Sequence, residues 1–260
     1  MDEDLPWVTV AAVAAVAYVA WQVTGFVPTE ASLSPYWFSA EAMEAGEWHR
    51  LITSVFVHGG LLHLAFNVFA IVSLAGLEKQ LGSPAYAVVF LAAGIGGNLA
   101  HVMVSPTPVV GASGAIFGLL GVLLAIAPGT RLALMGIIPV PAAIMLPGYA
   151  AVVLLVPGLE QLAPVAHFAH LGGLLVGLAA GASLAPTKAL GNLAYAAVAF
   201  LGIGSLVVNV QAVGLGRLVE AASSRGLGGL LTLAWPSLVG LGLVGLVLNG
   251  LPDGQRSPAA

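Results

Sequence analysis

Gly111-Ala112-Ser113-Gly114-Ala115-Ile116-Phe117-Gly118 opens an apolar run that Pro128-Gly129 closes. Pro106 and Pro108 stand before it and cannot continue a preceding helix, because proline lacks the backbone N–H and clashes with the turn before it. The pattern predicts a helix from Ser113 to Ala127. Roughly 15 residues at 1.5 Å each give roughly 22 Å, short of a hydrocarbon core of roughly 30 Å. A helix too short to span alone starts below the membrane surface, which puts Ser113 several ångströms inside. Non-helical backbone at that depth is tolerated only when buried in protein or lining a water-filled cavity. A serine at the mouth of such a helix, reached by water, invites a chemical reading.

The rest of the composition supports a membrane setting. Of 260 residues, 59% are hydrophobic and 7% charged, with a mean hydropathy of +1.03. Soluble domains carry about 25% charged residues, so the chain reads as an all-α polytopic membrane protein. The net charge of −4 comes mostly from Asp2-Glu3-Asp4 and the loop from Glu30 to Glu47. There is no basic patch, so nucleic-acid binding has no support. Cysteine is absent, which excludes disulfides, thiol catalysis and cysteine-ligated metals.

Apolar runs predict spans over residues 7–27, 59–77, 86–104, the short 113–127, 132–156, 164–184, 190–210 and 230–248. The first lacks a basic leader and reads as a retained span rather than a signal peptide. Pro139, Pro141 and Pro147 suggest that the fifth is kinked or late to start. Pro164 suits the first turn of the sixth. Residues 28–57 form a long first loop whose Tyr36, Trp37 and Trp48 suit the headgroup region, and residues 214–229 read as an interfacial helix. With a cytoplasmic N-terminus, Lys79, Arg131, Lys188 and Arg256 fall inside, and Arg50, Arg217 and Arg225 outside. That bias sets the expected orientation, in a cell membrane.

Parity gathers the polar residues. His63 and Asn67 open the second span, Ser113 the fourth, and His167 and His170 the sixth. Even-numbered spans run the same way, so these groups share one side of the membrane and a similar depth. His63 and Asn67 are four apart and share a helix face. His170, Gly173, Gly177 and Gly181 form one stripe, and Gly114 and Gly118 another. Small residues spaced by four let membrane helices approach backbone to backbone, and packing these stripes brings His170 to Ser113. That is a nucleophile beside a general base. The N–H groups at the mouth of the helix, with His63 and Asn67, offer an oxyanion site.

Each feature also has a plainer reading. A Gly-x-Ser-Gly run alone more often means packing, and glycine stripes alone mean close contact. His58 and His101 sit at helix ends, where local hydrogen bonding suffices. His167, His170 and His63 suggest metal ligands, but no carboxylate lies in a span to complete the set, so no metal and no cofactor is expected.

Taken in order, Trp48-His49-Arg50, His58-Gly59-Gly60-Leu61-Leu62-His63-Leu64-Ala65-Phe66-Asn67, Gly111-Ala112-Ser113-Gly114 and Ala169-His170-Leu171-Gly172-Gly173 with Gly177 resemble the rhomboid intramembrane serine proteases. The resemblance runs from Trp48 to Gly181. It implies a six-helix core over residues 1–188 with a Ser–His dyad and no aspartate. About two additional C-terminal transmembrane helices then occupy residues 189–260. Ser113 matches the nucleophile, His170 the base, and His63 and Asn67 the oxyanion residues. Arg50 matches the arginine that steadies the first loop, while Gly111, Gly114 and Gly173 belong to the supporting motifs. The implied partners are transmembrane protein substrates within the lipid bilayer, cut near small residues where the helix unwinds; the oligomeric state stays open. Phe117 stands where many members have tyrosine, and His49 separates Trp48 from Arg50, which are often adjacent. A catalytically inactive scaffold that binds membrane clients is the competing reading, and a transporter a distant third.

Overall fold

The computed structural model describes residues 5–134, 138–146, 149, 166–194, 197 and 224. The chain forms two compact units. One comprises Met1–Ile126, Arg131–Val140 and Val165–Ala189, and the other Ala127–Thr130, Pro141–Pro164 and Leu190–Ala260.

In the first unit, α1 (Trp7–Val19) relaxes into a π-helical turn over Ala20–Thr24 and ends at Gly25, φ +75°. The first loop carries two short helices, α2 (Glu30–Leu33) and α3 (Ala40–Glu44). Thr29 and Ser32 cap α2 reciprocally, and the Ser39 hydroxyl accepts from the Ala42 N–H at the start of α3. The loop's last part, α4 (Arg50–Phe56), turns by 93° into α5 (Leu61–Ser73). Gly60 makes that corner with φ +146°, backbone that residues with a side chain rarely adopt. Beyond a break at Leu74 the chain continues helical as α6 (Ala75–Leu81), past the expected end at Leu77. Next come α7 (Ser83–Val102), α8 (Ser113–Ile126) and α9 (His167–Leu184).

Among the described residues, three helical stretches are long and apolar enough to cross a membrane: Trp7–Thr24, Ser83–Val102 and His167–Leu184. Counting the bent α4–α5 pair as one span gives up to four. The 14-residue α8 is apolar throughout. A helix that is hydrophobic all round belongs inside other helices, and α8 is buried except at Ser113, Phe117 and Ile126. It packs against α7 and α9.

Two expected boundaries move. The span expected from Leu132 begins instead with a two-stranded ribbon, β1 (Arg131–Leu134) and β2 (Ile138–Pro141). Helix resumes at residues 142–146. Pro139 and Pro141 account for this, since neither can donate the bond a helix interior needs. In the second unit, the Ala142 and Ala143 N–H groups bond to the Thr130 and Pro128 carbonyls at 2.9 and 3.0 Å. The sixth span was expected from Pro164, whereas α9 starts at His167. His170 therefore sits in its first turn, not farther along. Apart from the single positions 149, 197 and 224 and the start of the seventh span, where residues 190–194 are helical, the remainder of the fifth span, the seventh and eighth spans and the interfacial helix lie outside the described residues.

Among the described residues, one acidic side chain is buried. Glu78 is 1% exposed and accepts from the Val8 and Thr9 N–H groups at 2.8 and 2.7 Å. It also accepts from the Thr9 hydroxyl at 2.7 Å and the Ser83 hydroxyl at 2.6 Å. A carboxylate thereby satisfies the unpaired N–H groups of α1 and meets the positive end of its dipole. Glu78→Ala strands those donors, and each buried donor left unpaired costs about 1–3 kcal/mol. The expected result is a lower unfolding midpoint in detergent. An unchanged midpoint would show that the carboxylate is dispensable.

Candidate active site

The segment before Ser113 is pinned at three points. The His101 Nε2 lies 2.9 Å from the Thr107 carbonyl. Phe38 and Val109 exchange backbone hydrogen bonds of 3.1 and 2.8 Å as an isolated antiparallel bridge, which ties the first loop to this segment. The Gly111 N–H donates to the Ser54 carbonyl at 2.8 Å. Gly111 is required twice over: its φ is +111°, and a Cβ there would stand 2.7 Å from the Cε1 and Nε2 of His63. The turn delivers Ser113 to the first position of α8, with the Ala112 carbonyl accepting from the Ile116 N–H at 3.0 Å. The first N–H groups of a helix have no intrahelical partner, so the mouth of α8 is rich in donors.

His170 lies opposite. Its Nε2 is 2.7 Å from the Ser113 Oγ, and the residue is 8% exposed. Phe117, one turn beyond Ser113, stacks on the imidazole with ring centroids 4.2 Å apart and planes within 7°. The phenyl ring thus supplies the flat face without a hydroxyl. What brings the two helices this close is glycine. A Cβ on Gly173 would strike the Gly114 carbonyl, and one on Gly177 the Gly118 carbonyl. A Cβ on Gly121 would stand 2.6 Å from the Leu174 carbonyl. The two stripes read from the sequence do face each other.

His63 is oriented by its own helix entry. The Gly59 N–H donates to its Nδ1 at 3.3 Å, so the neutral ring carries its proton on Nε2, the atom beside Gly111. Asn67 is buried one turn on, and its Nδ2 donates to the His63 carbonyl at 2.8 Å. His58 sits edge-on to His63 at 5.1 Å and approaches the Ala112 N–H at 3.5 Å. Arg50 donates from Nη1 to the Ser34 carbonyl at 2.6 Å and pairs through Nη2 with Glu47 at 2.9 Å, tying two ends of the first loop. Trp48 is exposed. His167 is exposed and meets the His170 ring edge-on at 6.5 Å. Among the described residues, no three histidine, cysteine or carboxylate side chains gather as metal ligands.

Sequence reasoning passed over Asn98 and Ser54. Asn98 is a polar side chain deep in the apolar α7, and that position was the available signal. Its partners Leu51 and Ser54 lie more than forty residues upstream, so spacing gave no indication of them.

A bundle of apolar helices holding a hydroxyl and an imidazole together at a buried helix mouth defines a class of intramembrane proteins. The Rhomboid domain model matches residues 45–187, more than half of the chain, and the chain belongs to the rhomboid family. It is 38% identical over 148 residues to the rhomboid protease GluP of Bacillus subtilis, which is 55% of this chain and 27% of GluP. The YdcA protein of the same organism is 46% identical over 82 residues, 30% of this chain and 41% of YdcA. The match therefore spans less than half the length of either protein. Inactive rhomboid protein 1 of Drosophila melanogaster is 38% identical over 80 residues, 30% of this chain and 6% of that protein.

Proposed function

We propose that this protein is an intramembrane serine endopeptidase that cleaves transmembrane segments of other membrane proteins. The observation that carries the reading is the 2.7 Å hydrogen bond between Ser113 Oγ and His170 Nε2. Nε2 accepts the hydroxyl proton as Oγ attacks the scissile carbonyl, and later delivers it to the leaving amine. Water then releases the acyl group by the same exchange in reverse. Charge that develops on the carbonyl oxygen meets the N–H groups at the mouth of α8, the Nε2–H of His63 and the amide of Asn67. Phe117 holds the imidazole plane, and Arg50 holds the first loop. The catalytic core occupies residues 1–188, with residues 189–260 outside the chemistry.

The deciding experiment is incubation of purified protein in detergent with a single-span model substrate, wild type beside Ser113→Ala. Cleavage by the first and none by the second is the expected outcome. Turnover retained by Ser113→Ala sinks the mechanism. The inactive Drosophila relative keeps one competing reading in play, a scaffold that binds membrane clients without cutting them. Client capture by a wild type that never cleaves would favour it.

The oxyanion assignment has a test of its own. His63→Ala and Asn67→Ala each remove a donor and leave the nucleophile in place. Such a loss costs about 10²–10³ in kcat. Weakened but measurable cleavage with little change in KM is expected. Wild-type rates in both variants would make these residues structural.

A further inference from the structure

We infer that Asn98 and Ser54 form a positioning relay that holds the Ser113 turn from behind, a role that rests on the protease reading above. Asn98 projects from α7 and is 3% exposed. Its Nδ2 donates to the Leu51 carbonyl at 3.0 Å and to the Ser54 Oγ at 2.9 Å. A primary amide nitrogen has two hydrogens, and both are used here, on two residues of the same helix. Asn98 therefore fixes both the height and the rotation of α4 against α7.

The consequence reaches the serine through backbone. Ser54 is fully buried, and its carbonyl is among the last four of α4, where the helix end supplies only a long 3.4 Å bond from the Val57 N–H. Gly111 makes the shorter bond to the same oxygen, its N–H donating to the Ser54 carbonyl at 2.8 Å. Gly111 lies two residues before Ser113 and has no side chain to hold its left-handed φ of +111°. Rotation there swings the Ser113 Oγ relative to His170 and shifts the His63 ring packed where the Cβ would be. The Gly111–Ser54 hydrogen bond opposes this rotation from the α4 side, and Asn98 holds the residue that accepts it. Neither Asn98 nor Ser54 is given a contact with substrate, so both are positioning residues.

The test combines kinetics with amide exchange in purified full-length protein. Asn98→Ala should lower kcat on a single-span substrate by about tenfold or more, since misplacement of a reacting group by about 1 Å can cost about 10²-fold. KM should stay within about twofold, because the substrate contacts are untouched. Hydrogen–deuterium exchange of the peptide covering residues 107–116 should accelerate in parallel, reporting the freed Gly111 amide. Asn98→Ser, which keeps one donor, should restore part of both. Ser54→Ala removes only the hydroxyl and leaves the carbonyl in place, so it should cost less than Asn98→Ala on both readouts. Wild-type kcat or unchanged exchange in Asn98→Ala overturns the relay, as does a loss confined to KM. If Asn98→Ala does not fold, the same two measurements on Asn98→Ser against Ser54→Ala decide it. A wild type that never cleaves ends the protease reading, while the exchange measurement still settles whether Asn98 holds Gly111.

Discussion

His170→Ala is expected to bring cleavage of a single-span substrate down to the level of Ser113→Ala, at least about 10⁴-fold below wild type, with the double variant no lower. Ser113 Oγ and His170 Nε2 meet in the 2.7 Å hydrogen bond. A serine hydroxyl is a weak nucleophile until a base takes its proton, and an imidazole with no hydroxyl to serve does nothing. Two groups that act only together lose their whole effect when either is removed, so the second deletion has nothing left to cost. The measurement is kcat for the four proteins in one detergent, with unfolding midpoints compared to exclude misfolding. Additive losses, the double variant falling well below either single one, would mean that the groups work independently and that the mechanism is different.

Much of this site was legible from the sequence because its cause is local. Gly114 and Gly118, and Gly173, Gly177 and Gly181, repeat at four residues, and that spacing translates directly into a helix face that a neighbouring backbone can touch. Proline likewise marks its effect in place: Pro139 and Pro141 announced a delayed helix, although not the ribbon of β1 and β2. What escaped was set by partners distant in the chain. Glu78 lies just past the expected end of the second span at Leu77; its burial follows from the Val8 and Thr9 amides, which lie 70 and 69 residues away. The 93° corner between α4 and α5 has Gly59-Gly60 at its centre, yet whether a glycine pair bends a membrane helix depends on what packs around it. Asn98 went unread for the same reason, its partners Leu51 and Ser54 lying 47 and 44 residues away. Local pattern thus pointed to the groups proposed to react, and tertiary contacts supply the parts that would aim them.

Gly177→Ala should cost about 10²-fold in cleavage, less than a change in the dyad, although the residue makes no contact with a reacting atom. Gly177 is seven residues from His170, about 10 Å along α9. A methyl group there would strike the Gly118 carbonyl, which is backbone and cannot rotate aside. The helices must separate, and overpacking of this kind costs about 1–3 kcal/mol of stability. The larger loss is catalytic. Ser113 rides on α8 and His170 on α9, so any separation of the pair lengthens their 2.7 Å hydrogen bond. Displacement of a catalytic group by about 1 Å can cost about 10²-fold, so kcat should fall by about that factor while the unfolding midpoint drops modestly. Gly76→Ala is the control. It lies exposed in α6, a Cβ there meets nothing within 4 Å, and alanine favours helix over glycine by about 1 kcal/mol. That variant should keep full activity and equal or raised stability. If Gly177→Ala matches Gly76→Ala in both kcat and midpoint, the seam between α8 and α9 does not set the distance between serine and histidine, and another contact must hold them together.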